Sequence, residues 1–282
     1  MQHSSVSERA AGEVKMKANR LLAAGFCLAF AVPAFGDTIT LDMTIRDFKP
    51  FFAVGGHPDF QSFLGGVETG MVKSTLGVDG TPDYDASAGQ ITSAASFASW
   101  YHDTPGVNLT STQSITLDNG LGATTGGIYS YSNPSFFPID GPAVPGDTFG
   151  HHPGQPHNYY FTVQIATTFT YVAGQSFSFI GDDDLWVFID KKLAIDLGGV
   201  HGPASGSVSL DSPFLGLTAG STYSLDLFFA ERRTVGSSFR IDTSITSLVT
   251  APVPEPGMLS LLGLGLLGLG LRKSRTGNTQ NL

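Results

Sequence analysis

Apolar and polar residues alternate along most of the chain with the period of a β-strand. Residues 38–45 set Ile39, Leu41, Met43 and Ile45 against polar neighbours, the pattern of a half-buried strand. Residues 115–117, 127–131, 159–171, 175–180, 207–210 and 223–230 read as further strands, and 239–248 alternates as a closing one. Two apolar runs at 185–189 and 193–197 are split by Asp190-Lys191-Lys192 and predict a hairpin. The Asn-Gly pair that usually marks such a turn is missing. Helical signals are few: residues 93–101 are the best candidate, and 60–67 read as a short helical turn. Residues 76–85 and 134–156 are rich in turn formers. Many short strands spaced by turns, with no internal repeat, predict an all-β sandwich or barrel-like sandwich. Long loops and at most one or two short helices complete that expectation.

Both ends depart from this pattern. Lys15, Lys17 and Arg20 precede an apolar run at 21–32 that closes on Ala34-Phe35-Gly36. This is the layout of a secretory signal peptide, here placed at 1–36, with Met16 as an alternative start. The folded domain is then 37–250, and 251–282 form a separate tail. That tail reads Ala-Pro-Val-Pro-Glu-Pro, then a Leu/Gly stretch at 258–271, then the basic residues Arg272, Lys273 and Arg275. Fourteen apolar residues are short for a spanning helix of about 20. A basic cluster following them fits a helix held in the inner membrane with its C-terminus inside.

Composition narrows the function classes. The 282 residues include 35 Gly and 21 Phe, and only 14% are charged. Between Asp37 and Pro254 there are 21 acidic and 8 basic residues, a net charge of −13. Such a surface repels nucleic acid and anionic lipid and attracts cations, so nucleic acid is excluded as a partner. The single cysteine, Cys27, falls in the signal region, which leaves the domain without a disulfide.

The chemistry concentrates in Asp182, Asp183 and Asp184, which open the predicted hairpin. Crowded carboxylates repel one another unless a cation neutralises them, and Ca²⁺ takes several oxygen ligands. Neighbouring strand residues point to opposite faces. Adjacent aspartates therefore share an ion only where the backbone kinks, bulges or turns cis. A solvated acidic strand entry with no ion is the competing reading. His151, His152 and His157 sit in a Pro/Gly loop, where a flexible surface segment is preferred over a transition-metal tract. His57 and His201 read as structural loop residues. Glu231, before Arg232-Arg233, reads as an ion-paired strand end rather than an extra oxygen ligand. No nucleophile elbow, zinc helix or P-loop is present, so the protein is not expected to be an enzyme.

Two resemblances add to this. The Pro254-Glu255-Pro256 motif, the Leu/Gly stretch and the basic cluster resemble the PEP-CTERM sorting signal of Gram-negative bacteria, which implies processing by an exosortase. The body resembles the fibro-slime domain, a branch of the PA14-like β-sandwich group. The pieces that carry this are TIRDF from Thr44, HPDF from His57, TLGVDGTPDY from Thr75, YSNPSFFPID from Tyr131, GDDDLWVFIDKKLAIDLGGVHG from Gly181 and FFAERRTVGSSFRIDTS from Phe228. The resemblance implies a PA14-like antiparallel β-sandwich. In calcium-dependent PA14-like adhesins, adjacent aspartates joined by a cis peptide hold a Ca²⁺ that contacts a glycan. Aligned through Ile189-Asp190, that pair falls on Asp182 and Asp183, with Asp184 as a weaker ligand. The expectation is therefore a protein exported through the Sec pathway, anchored transiently in the inner membrane, and delivered to the cell surface or extracellular matrix. There it would act as a Ca²⁺-dependent binding module for extracellular polysaccharide or another glycan. A purely structural matrix protein and a polysaccharide hydrolase are the alternatives.

Overall fold

The computed structural model describes residues 37–250 apart from 62, 88, 121–126, 141–148 and 150. The elements run β1 (Thr38–Phe48), α1 (Ala94–Ala98), β2 (Asn108–Asp118), β3 (Tyr129–Asn133), β4 (Phe161–Thr170), β5 (Ser176–Asp182), β6 (Asp184–Ile189), β7 (Lys192–Leu197), β8 (Ala204–Ser209), β9 (Thr222–Glu231), β10 (Ser238–Thr243) and β11 (Val249–Thr250). Ten strands hydrogen-bond in the order β7-β6-β9-β4-β1-β2-β3-β10-β5-β8, and β11 adds to β4. Every ladder is antiparallel.

The path folds over on itself because each strand has one apolar face to bury. Leu185, Val187 and Ile189 of β6, Leu225, Leu227 and Phe229 of β9, and Ile39, Leu41, Met43 and Ile45 of β1 meet Phe177, Phe179, Phe239 and Ile241 of β5 and β10 in one core. The result is the expected all-β antiparallel sandwich. A second core lies on the other face of β6 and β9. There Trp186, Phe188, Phe228 and Ala230 pack under Phe60, Met71, Ile91, Phe97 and Trp100 from the long β1–β2 connection. All six residues of β6 are consequently buried, and a strand covered on both faces reads as a continuous apolar run rather than an alternating one.

Several sequence expectations shift in the structure. Strand β2 reaches back to Asn108 through a Ser/Thr run, paired along its whole length with β1. Backbone pairing sustains it where hydrophobicity is silent. The described residues of 60–67 are not helical, and Gly65 and Gly66 instead donate to the Val200 carbonyl. The closing strand breaks after Thr243, and β11 pairs elsewhere, on β4. The predicted helix exists but spans five residues, capped at Ser93 with Ser96 completing the box. In the hairpin, Asp190 and Lys191 have φ of 49° and 63°, the positive pair that a type I′ turn requires. Asp-Lys thus does the work usually given to Asn-Gly. The predicted signal peptide and C-terminal tail lie outside the described residues, among which no helix is long and apolar enough to cross a membrane.

Candidate functional site

The acidic triplet sits where the chain passes from one layer of the sandwich to the other. Strand β5 ends at Asp182 and pairs with β10, while β6 starts at Asp184 and pairs with β9. Asp183 alone links them, and the Asp182–Asp183 peptide is cis. Strand alternation then separates the three carboxylates.

Asp184 has the parity of Trp186 and Phe188, so it faces the second core. There it meets Arg232, and both side chains are completely buried. Asp184 Oδ2 accepts from Arg232 Nε at 2.5 Å, and Oδ1 from Nη2 at 3.2 Å. Gly199 N donates to the same Oδ1 at 2.6 Å. Gly199 has φ 99°, and a Cβ there would lie 2.5 Å from the Gly66 carbonyl oxygen, so this position has no room for a side chain. Arg232 also donates to the Gln90 carbonyl at 2.8 Å and stacks on Trp100 at 4.8 Å. Asp184 is thereby committed to an internal ion pair and does not reach the surface.

Asp182 and Asp183 together line an open cavity of about 220 Å³, with Leu64, His201, Arg233 and Val235 among its walls. Asp183 accepts from the backbone N–H of His201 at 3.0 Å and of Arg232 at 3.1 Å. Asp182 accepts from Ser238 N. The His201 ring is held between the carbonyl oxygens of Leu197 and Gly202, at 3.0 and 2.7 Å. Burial pushes the Asp183 carboxyl up to about 8, the charge of Asp184 adds to this, and Arg232 opposes it.

Glu231 was expected as an ion-paired strand end. It forms no ion pair among the described residues. Alternation turns Arg232 to the opposite face, where Asp184 takes it, and leaves Glu231 on the face of Phe229. Glu231 is 1% exposed, and its pKa is driven well up by burial and then by the charges of Asp183 and Asp182. Its Oε1 accepts only the Arg233 N–H, at 3.2 Å. Among the described residues its Oε2 has no hydrogen-bond partner, nor do the buried Ser237 and Ser238 hydroxyls. Ser237 lies near enough to soften the rise at Glu231 without hydrogen-bond geometry.

This donor set suits a hard cation. It consists of oxygens, and none of Asp182, Asp183 and Glu231 forms an ion pair among the described residues, since Arg232 is spent on Asp184. Among the described residues no three His, Cys, Asp or Glu side chains are gathered closely enough to hold a metal ion by themselves. A Ca²⁺ ion here would rest on Asp182 and Asp183, with carbonyl or solvent oxygens completing its shell.

The other flagged residues lie apart. His151 and His157 both bond Asp140, at 3.1 and 2.5 Å, and His157 stacks on Phe137 at 3.9 Å. His57 is buried, with Nε2 near Ser99 Oγ at 2.9 Å, a structural role as expected. His201, also expected to be structural, lines the cavity. Sequence reasoning took Arg232 and Arg233 only as ion-pair partners of Glu231 and gave neither a place at the site. The sorting residues Pro254, Glu255 and Pro256 and the basic residues Arg272, Lys273 and Arg275 lie outside the described residues.

The chain carries a PA14 domain, matched over residues 148–253, and a PEP-CTERM protein-sorting motif, matched over residues 252–275. That motif marks an exported bacterial protein of the cell surface or extracellular space. Protein psiR of Dictyostelium discoideum is 43% identical over 224 residues, 74% of this chain and 21% of psiR. Protein psiQ of the same organism is 42% identical over 229 residues, 78% of this chain and 22% of psiQ. These relatives agree with the fibro-slime resemblance, although the chain spans only about a fifth of their length. Among solved structures, the chain is similar to a PA14 sugar-binding domain from an RTX adhesin. That match has 14% identity, 31% of this chain, 47% of that one and a TM-score of 0.24. It is also similar to the β-glucosidase of Kluyveromyces marxianus in complex with glucose, at 13% identity, 45% and 16% coverage and a TM-score of 0.24.

Proposed function

We propose that this exported PA14 module binds carbohydrate through Ca²⁺ held by Asp182 and Asp183, and works as an adhesive component of the cell surface or of an exopolysaccharide matrix. Exosortase processing at the Pro254-Glu255-Pro256 motif would deliver it there. The observation that carries the reading is the pair of carboxylates lining one open cavity, with the buried Glu231 coupled to them and its Oε2 without a hydrogen bond among the described residues. When bound, the cation supplies coordination sites for sugar hydroxyls. The protein supplies the rest. Asp184 and Arg232 anchor the crossover from within, and Arg232 N and His201 N orient the Asp183 carboxylate. Leu64 and Val235, 64% and 92% exposed, present apolar surface at the rim that complements the C–H face of a sugar ring.

Binding is favoured over hydrolysis. Glycoside cleavage needs two carboxylates flanking the scissile bond across a cleft, and Asp182 and Asp183 are neighbours on one side of the opening. Glycan-array binding with and without Ca²⁺ tests the proposal. Glycan capture that disappears with chelator supports it. No capture in either condition returns the protein to a structural matrix role, and release of reducing sugar would make it a hydrolase.

A further inference from the structure

Four arginines lie among the described residues, and three of them are ion-paired: Arg46 with Asp103, Arg232 with Asp184, and Arg240 with Asp242. The fourth, Arg233, lines the same cavity as Asp182 and Asp183. It is partly buried, and its guanidinium makes no hydrogen bond or ion pair among the described residues. In a domain with 21 acidic and 8 basic residues, an arginine without a carboxylate partner in a cavity wall leaves its N–H donors available to a ligand. Asp182 and Asp183 share that cavity, yet neither comes within ion-pair distance of it.

The loop that carries Arg233 is fixed on both sides. Arg232 before it is buried and anchored to Asp184 and Gln90. Thr234 after it accepts a hydrogen bond from Gln61 at 3.4 Å, and Gln61 N donates to the Arg232 carbonyl at 2.6 Å. Tyr160 Oη holds the Gln61 side chain at 2.9 Å. The backbone from which the guanidinium projects is therefore set before any ligand arrives, which lowers the ordering cost of binding. A planar guanidinium offers two parallel N–H donors that match a carboxylate bidentately.

We infer that Arg233 reads a carboxylate on the bound sugar, so that the ligand class is an acidic glycan built from hexuronate rather than a neutral one. The inference rests on the glycan reading above and specifies its substrate. Two charges of opposite sign then divide the work within one cavity. The carboxylate pair addresses hydroxyls through the cation, and Arg233 addresses the acid group.

The test titrates the exported protein, at fixed free Ca²⁺ and physiological salt, with methyl hexuronides and with their carboxyl-reduced counterparts. The uronide should bind about tenfold more tightly, the worth of one charge-assisted contact. Arg233→Gln should bring the uronide down to the affinity of the reduced sugar and leave the reduced sugar unchanged. Arg233→Lys should restore only part of the difference, because an ammonium lacks the fork. An unchanged melting temperature in both variants shows that the fold is kept. Equal binding of acid and reduced sugar, or a uronide preference that survives Arg233→Gln, overturns this inference and leaves the glycan reading standing. A sulfated analogue that outcompetes the uronide overturns the carboxylate assignment. Binding of neither sugar overturns both readings together.

Discussion

Replacing Arg232 with methionine should destabilise the domain by about 3–5 kcal/mol, because it leaves the Asp184 charge buried and unpaired. Both side chains have no solvent exposure, so water does not screen the loss. The pair has two short contacts, 2.5 and 3.2 Å, and the Gln90 carbonyl loses its donor as well. For a domain of this size about 2–4 °C is lost per kcal/mol, so melting should fall by roughly 10 °C. The assay is urea unfolding followed by tryptophan fluorescence. The chain has two tryptophans, Trp100 stacks on Arg232, and both sit in the second core, so the probe reports from the perturbed site. The double variant Arg232→Met/Asp184→Leu should cost no more than Arg232→Met alone, since it removes the orphaned charge. Asp183 should still respond to Ca²⁺ in a folded single variant, because Arg232 orients it through a backbone N–H. A loss under about 1 kcal/mol, or simple additivity of the two single changes, would refute the reasoning.

Three further outcomes are expected. Ca²⁺ should raise stability by about 2.7 kcal/mol at a hundredfold excess over its dissociation constant; Asp183→Ala should abolish the rise and the exposed control Asp83→Ala should keep it, and a melt indifferent to Ca²⁺ and chelator would make the acid pair structural only. In the metal-free protein, Asp183 and Asp47 are raised to about 8 and about 7, both chiefly by burial. The fold then binds more protons than the unfolded chain, and stability must decline as pH climbs through 7 to 8. Melting should be lower at pH 9 than at pH 5, with Asp183→Asn flattening the upper part of the profile, and a flat wild-type curve would contradict the assigned burial. The net charge of −13 between Asp37 and Pro254 predicts no gel shift of DNA at physiological salt without Ca²⁺; salt-sensitive binding under those conditions would count against it.

The strand content, the hairpin at 185–197 and the acidic start of β6 were legible from the chain because each rests on local pattern. Alternation, turn residues and a run of like charge are properties of neighbours in sequence. The C-terminal sorting motif was legible for the same reason. The Ser/Thr half of β2 was not, because only its partner β1 sustains it, and hydrophobicity has nothing to report at an edge held by backbone pairing.

The acids show the division most clearly. Sequence alone placed Asp182, Asp183 and Asp184 in one cluster, since they are consecutive. Only the tertiary structure separated them, because the chain changes layers at Asp183 and alternation points Asp184 into a core that distant residues from Phe60 to Tyr101 complete. That same parity gave Arg232 to Asp184, left Glu231 buried without an ion pair among the described residues, and placed Arg233 at the cavity. Two consecutive arginines look equivalent in a sequence; which one becomes an internal counter-ion and which one faces a ligand depends on which side of a strand is covered, and covering is a property of the whole fold.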